Sequence, residues 1–112
     1  MNCDPVSLNL EEAIGRMGSK EIFLEISHYF ASRLPEAVDE LGQALAAGNI
    51  DEATRYAHSM KSNCMAMGAN QLHEQCRVLE GICRQGEIDG ARKLFSELVP
   101  ALLGLRAVLL AL

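Results

Sequence analysis

From Leu10 to the end of the chain, apolar positions recur every three or four residues and never alternate with period two. The pattern predicts helices and no strand. Polar caps and glycines divide it into segments. Asn9 with Glu12 reads as a capping box for a short first helix that ends at Gly18. Ser19 caps the next helix, whose apolar run passes through Ile22, Ile26 and Phe30. Pro35 is expected to kink or interrupt it near Arg33-Leu34, because the ring removes a helical donor and clashes with the preceding turn. The pattern resumes through Val38, Leu41 and Leu45 and stops at Gly48. Asn49 with Glu52 is a second capping box, and the helix it opens ends at Gly68. Asn70 is the expected cap of a fourth segment with the stripe Leu72, Cys76, Leu79 and Cys83, ending at Gly86. The last helix starts near Glu87, presents Ile88, Ala91, Leu94, Phe95 and Leu98, and is expected to bend at Pro100.

Long amphipathic helices joined by short glycine junctions predict an all-α antiparallel four-helix bundle. The short helix at about Leu10 to Met17 should pack across one end. A chain of 112 residues can bury one core without disulfides, so residues 1–112 read as a single domain with a bundle core at about 19–110. The only aromatics are Phe23, Tyr29, Phe30, Tyr56 and Phe95, which suits packed helices of Leu, Ile, Ala and Met. Net charge is −5 with no basic run, which argues against nucleic-acid binding. Met1 is followed by polar residues and Asp4-Pro5, so no secretory leader is expected. Cys3, Cys64, Cys76 and Cys83 lack a disulfide framework, and reduced thiols in a cytoplasmic protein are the simplest reading. The tract from Leu98 to Leu112 contains Pro100 and Arg106 and is too short to span a bilayer, so no membrane insertion is expected. From Ala101 on, Arg106 is its only charge; this tail either completes the bundle or mediates self-association.

One stretch reads as chemistry, running from Ala57-His58 to Gly68-Ala69. Ala57, Met60, Cys64 and Met67 share helical spacing and should face the core. Thr54, His58, Lys61, Ser62 and Met65 follow the same spacing on a neighbouring face. A nitrogen nucleophile thus sits one turn from a fixed positive charge, beside a small residue. An exposed imidazole in that setting can receive a phosphoryl group. Unperturbed imidazoles titrate near ~6.5, which leaves many neutral at cytoplasmic pH.

The segment resembles the signature of histidine-containing phosphotransfer (HPt) domains, roughly A-H-x-L-K-G followed by small residues, an apolar residue and Gly-Ala. Here it reads A-H-S-M-K-S-N-C-M-A-M-G-A. The His, the Lys three later and the Gly ten later match, and Ser62 stands where the family has glycine. The order, lengths and caps of the helices extend the resemblance over nearly the whole chain.

The resemblance implies a phosphocarrier rather than a stand-alone enzyme. His58 would take the phosphoryl group from an aspartyl phosphate, and Lys61 would neutralise phosphoryl oxygens. Glu80, on the following helix at the position where such domains carry Gln or Glu, would hydrogen-bond the other ring nitrogen and fix the tautomer. Ser62 would sit where the partner comes close. The implied partners are response-regulator receiver domains and a sensor histidine kinase. The receiver would carry the acceptor Asp and bind Mg²⁺ itself, so this chain needs no cofactor of its own. Met65, with Ile14 and Met17, is the expected docking patch. A free-standing carrier and the module of a hybrid kinase are equally compatible with the sequence.

Two other readings stay open. His73, Cys76 and Cys83 lie at one- and two-turn spacing, the outline of a partial metal site in a helical bundle. Cys76 and Cys83 fall on the core stripe, however, which favours packing over ligation. The glycine-to-serine departure at Ser62 also fits a bundle that docks partners without transferring phosphate. His28 reads as structural or solvent-facing, and His73 as exposed.

Overall fold

The structure, a computed structural model, describes residues 7–112; the readings made on Cys3 and Asp4-Pro5 lie outside them. Five helices and no strand are found among the described residues: α1 (Leu10–Met17), α2 (Lys20–Ala46), α3 (Ile50–Ala66), α4 (Asn70–Arg84) and α5 (Ile88–Leu110). Side-chain caps begin the first three. Asn9 Oδ1 accepts from the Glu12 amide at 3.2 Å, Ser19 Oγ from that of Ile22 at 3.3 Å, and Asn49 Oδ1 from that of Glu52 at 3.1 Å. Each satisfies a backbone donor that the first helical turn leaves without a partner.

Asn70 does not cap α4. The capping residue is Ala69, with no side-chain cap bond, and Asn70 is already helical. The turn is too tight for another residue. The Gly68 and Ala69 amides close back onto the carbonyls of Met65 and Cys64, at 3.0 and 2.9 Å, and α4 follows at once.

α2 packs on α3 and α5, and α4 packs on the same two, so the four long helices close a ring around one core. Phe23, Leu34 and Leu41 fill it from α2, Ala57, Met60 and Cys64 from α3, Leu72, Cys76 and Leu79 from α4, and Leu98, Leu102 and Leu105 from α5. The tail therefore completes the bundle through Leu102, Leu105 and Leu109, while Leu103, Leu110 and Leu112 stay exposed.

Neither proline ends its helix. α2 runs unbroken through Pro35, and α5 through Pro100. Both rings are exposed, and the buried positions on either side stay in phase: Ala31 and Leu34 with Leu41, and Leu98 with Leu102. Burial of those flanking side chains outweighs the missing donor. The inward face of α2 also differs from the expected one. Ile22 and Ile26 are exposed, and Phe23, Ser27, Phe30 and Leu34 point inward.

α1 lies over the end of the bundle where α3 turns into α4. The Asn9 amide donates to the Gly68 carbonyl at 2.8 Å, and the Arg16 guanidinium donates to the Met65 carbonyl at 2.6 Å. Gly68 has φ +77°, and a Cβ there would meet the Asn9 carbonyl oxygen at 2.6 Å. Gly68→Ala therefore carries both a left-handed backbone penalty and a clash with backbone. We expect it to remove about 2–3 kcal/mol of stability, a fall of about 10 °C in thermal unfolding. Gly15→Ala, where an added Cβ meets nothing within 4 Å, should instead hold or raise the midpoint. Equal midpoints for the two variants would remove the Asn9–Gly68 junction from the account.

Among the described residues, no helix is long and apolar enough to cross a membrane.

Candidate functional site

The site is built on the groove between α3 and α4. Ala53, Ala57 and Cys64 line the inner side of α3, and Cys76 and Cys83 that of α4, all fully buried. Small side chains along this seam let the two helices lie close. His58 then sits on the shoulder of α3 within reach of Glu80 on α4.

Glu80 is the centre of the arrangement. Its side chain is 6% exposed, against 55% for His58 and 22% for Lys61. His58 Nδ1 lies 2.9 Å from Oε2, Lys61 Nζ 2.7 Å from Oε1, and an Arg84 terminal nitrogen 2.6 Å from Oε2. Burial pushes the Glu80 carboxyl up, but the hydrogen bonds from Lys61, Arg84 and His58 more than offset it and hold it at about 2. The group is thus a carboxylate at neutral pH, and a carboxylate only accepts. His58 must carry its proton on Nδ1. In the neutral ring the lone pair is then on Nε2, on a side chain more than half exposed.

The structure therefore brings His58, Lys61 and Glu80 together. Ser62 lies one turn beyond His58 and is exposed. Thr54, one turn before it, donates its hydroxyl to the Ile50 carbonyl at 2.8 Å.

Arg84 escaped the sequence reading, although a basic residue four after an acidic one on a helix is a readable signal. So did an apolar ridge on α2. Ile22, Ile26 and Tyr29 are exposed along one side of that helix, and Met65 is exposed on α3. Between the two helices runs a groove of about 400 Å³, lined by Ile26, Tyr29, Phe30, Ala66 and Met67 among others. Ile14 and Met17, expected beside Met65, are instead half-buried against the core.

His73 is half-buried rather than exposed, with Nδ1 3.1 Å from the Lys61 carbonyl, to which it donates. Cys76 and Cys83 face the core, and burial pushes the Cys83 thiol up, away from the thiolate a metal would need. Among the described residues, no group of three or more His, Cys, Asp and Glu side chains is placed to hold a metal ion.

The site thus sets one half-exposed imidazole beside a buried carboxylate on an all-helical bundle. Comparison with known proteins gives the class: the Hpt domain family matches residues 25–110, and this chain belongs to it. Histidine-containing phosphotransfer protein 4 of Arabidopsis thaliana is 25% identical over 76 residues, a stretch that covers 66% of this chain and 60% of that protein. The chain thus matches less than two thirds of that relative's length. No solved structure matches it significantly.

Proposed function

We propose that this chain relays phosphoryl groups between the aspartates of receiver domains, carrying them on Nε2 of His58. One observation carries the reading. In a chain of the Hpt family, His58 Nδ1 is held 2.9 Å from a buried carboxylate, which leaves its other nitrogen free at the surface. The Nε2 lone pair attacks phosphorus in line as the aspartyl C–O–P linkage of the donor breaks at phosphorus. The imidazole becomes positively charged as the new P–N bond forms, and the Glu80 carboxylate stabilises that charge. Lys61 then shifts its ammonium from Glu80 towards the phosphoryl oxygens, and Arg84 remains to balance the carboxylate. The partner receiver supplies Mg²⁺ and the aspartate; a sensor histidine kinase stands upstream. This reading puts the chain in the cytoplasm with the receivers it serves.

The test is transfer from a receiver, phosphorylated on its aspartate, to this chain in the presence of Mg²⁺. Label that is lost in acid and kept in base is the expected result, because phosphohistidine has that stability. No label from several unrelated receivers would leave a docking bundle as the better description.

Receiver docking should use the apolar side chains nearest the His58 face. Met65 lies two turns along that face and is 43% exposed; Ile26 lines the adjoining groove. Met65→Glu and Ile26→Glu are each expected to slow transfer from a receiver about tenfold or more while the fold is kept, the usual scale for an anchor residue at an interface. The check is transfer rate at subsaturating receiver, with thermal unfolding as the control. Unchanged rates in both variants would move the docking surface elsewhere.

A further inference from the structure

The Ser62 hydroxyl is uncommitted in a structure where most helical serines and threonines are bonded. Ser27, Ser32, Thr54 and Ser96 each donate to a backbone carbonyl one turn back. Among the described residues, Ser59 and Ser62 are the helical serines and threonines without such a bond. Ser59 is adjacent in sequence to His58 and so lies roughly 100° around the helix from it. Ser62 lies only about 40° away, one turn on. Side chains of an α-helix lean towards its N-terminus, so Ser62 leans over the turn that carries His58.

Lys61 lies about 60° from His58 on the opposite side, the side facing α4, where it meets Glu80. His58, Lys61 and Ser62 therefore form a column with a cation on one flank and a free hydroxyl on the other. Where the HPt signature has glycine, no such hydroxyl exists.

We propose that Ser62 is a phosphoryl-binding residue: once His58 Nε2 carries its phosphoryl group, the Ser62 hydroxyl donates to a phosphoryl oxygen opposite Lys61 and slows loss of the group to water. The proposal rests on His58 as the carrier. In that loss, a bond forms from water oxygen to phosphorus and the P–Nε2 bond breaks. The imidazole leaves with the electron pair and takes up a proton, and inorganic phosphate is released. The transition state is loose and metaphosphate-like. Its oxygens carry less negative charge than those of the phosphohistidine, so a donor aimed at them holds the ground state more firmly.

The experiment uses phosphoramidate, a small donor that needs no receiver. Nε2 attacks its phosphorus, the donor's P–N bond breaks and ammonia leaves. The wild type, Ser62→Ala, Ser62→Thr and Ser62→Gly are loaded, freed of donor, and followed by phosphorus NMR at neutral pH. Ser62 is exposed on a helix surface, and alanine there favours the helix. The half-life of the phosphohistidine should fall about fivefold in Ser62→Ala and Ser62→Gly alike, equivalent to ~1 kcal/mol. Ser62→Thr, which keeps a hydroxyl, should hold near the wild-type half-life. Equal decay of wild type and Ser62→Ala would overturn the proposal, as would Ser62→Thr decaying like alanine. If the wild type takes no phosphoryl group at His58, the carrier reading itself fails and this proposal goes with it.

Discussion

His58→Gln is expected to abolish phosphoryl transfer from a receiver, with loss of at least about a thousandfold in labelling rate, because removing the nucleophile leaves no partial route. Glutamine suits the test because it keeps the contact while losing the chemistry. Its amide N–H can still donate to Glu80, where His58 Nδ1 sits 2.9 Å from Oε2. Glu80 keeps its partners at Lys61 and Arg84 in either case. The thermal midpoint should therefore move by no more than a few degrees, as expected for a half-exposed position. The two other histidines supply the contrast. His73 Nδ1 is occupied by the Lys61 carbonyl, and His28 stands exposed on α2 rather than on the α3–α4 groove. Label that persists on His58→Gln at the wild-type rate would assign the acceptor elsewhere and end the His58 reading. Loss of label together with loss of the fold would be uninformative, which is why the unfolding measurement belongs to the same experiment.

The face of α3 was readable because its two sets of positions differ sharply in chemistry. Ala57, Met60, Cys64 and Met67 are buried, and His58, Ser62 and Met65 are exposed on the adjacent side. α2 was harder. Its first half offers two overlapping rows, Ile22-Ile26-Phe30 and Phe23-Ser27-Phe30-Leu34, and the first looks the more apolar. The second is the buried one. Ser27 can occupy the core because its hydroxyl donates to the Leu24 carbonyl at 3.0 Å, so no polar group is left unpaired. A satisfied serine is invisible to a reading that counts apolar letters. The misreading hid the exposed row, and with it the α2 ridge. The alternative of an interruption at Pro35 failed for a related reason: local propensity disfavours proline mid-helix, while burial on both sides carries the helix through. Glu80 was found by its distance along the chain from His58 in a familiar pattern, not by periodicity. Arg84 was missed although its i,i+4 spacing from Glu80 on α4 is visible in the sequence, because such a pair is usual on any helix surface and does not by itself mark a part in the site.

Glu80 is the residue whose loss should be felt in two separate ways. In the transfer proposed above, it would hold the His58 ring and stabilise the positive charge that develops on it. Glu80→Gln keeps the shape and an acceptor oxygen but loses the charge, and its amide nitrogen must face Lys61 or Arg84. Glu80→Ala loses both. We expect transfer to slow about 10- to 100-fold, by analogy with the loss when partners that orient metal-bound imidazoles are removed, with alanine at the slow end. In stability, the effect has a pH signature. The carboxyl sits at about 2 in the fold against 4.5 ordinarily. Between those values the unfolded chain binds a proton that the folded chain does not, so folding gains stability as pH rises. The contribution is complete above about pH 5 and lost as pH falls towards 2. Its size is ~2–3 kcal/mol, somewhat less than the full shift implies because Arg84 and His58 are exposed to screening. The thermal midpoint of the wild type should thus exceed that of Glu80→Gln by the largest margin near neutral pH, and the two curves should converge in acid. A gap that stays constant down to pH 2 would mean that the charge on Glu80 is not what ties α4 to α3. A closing gap with unchanged transfer rates would separate the two roles, leaving Glu80 as a structural anchor for the groove and the ring of His58 oriented by something else.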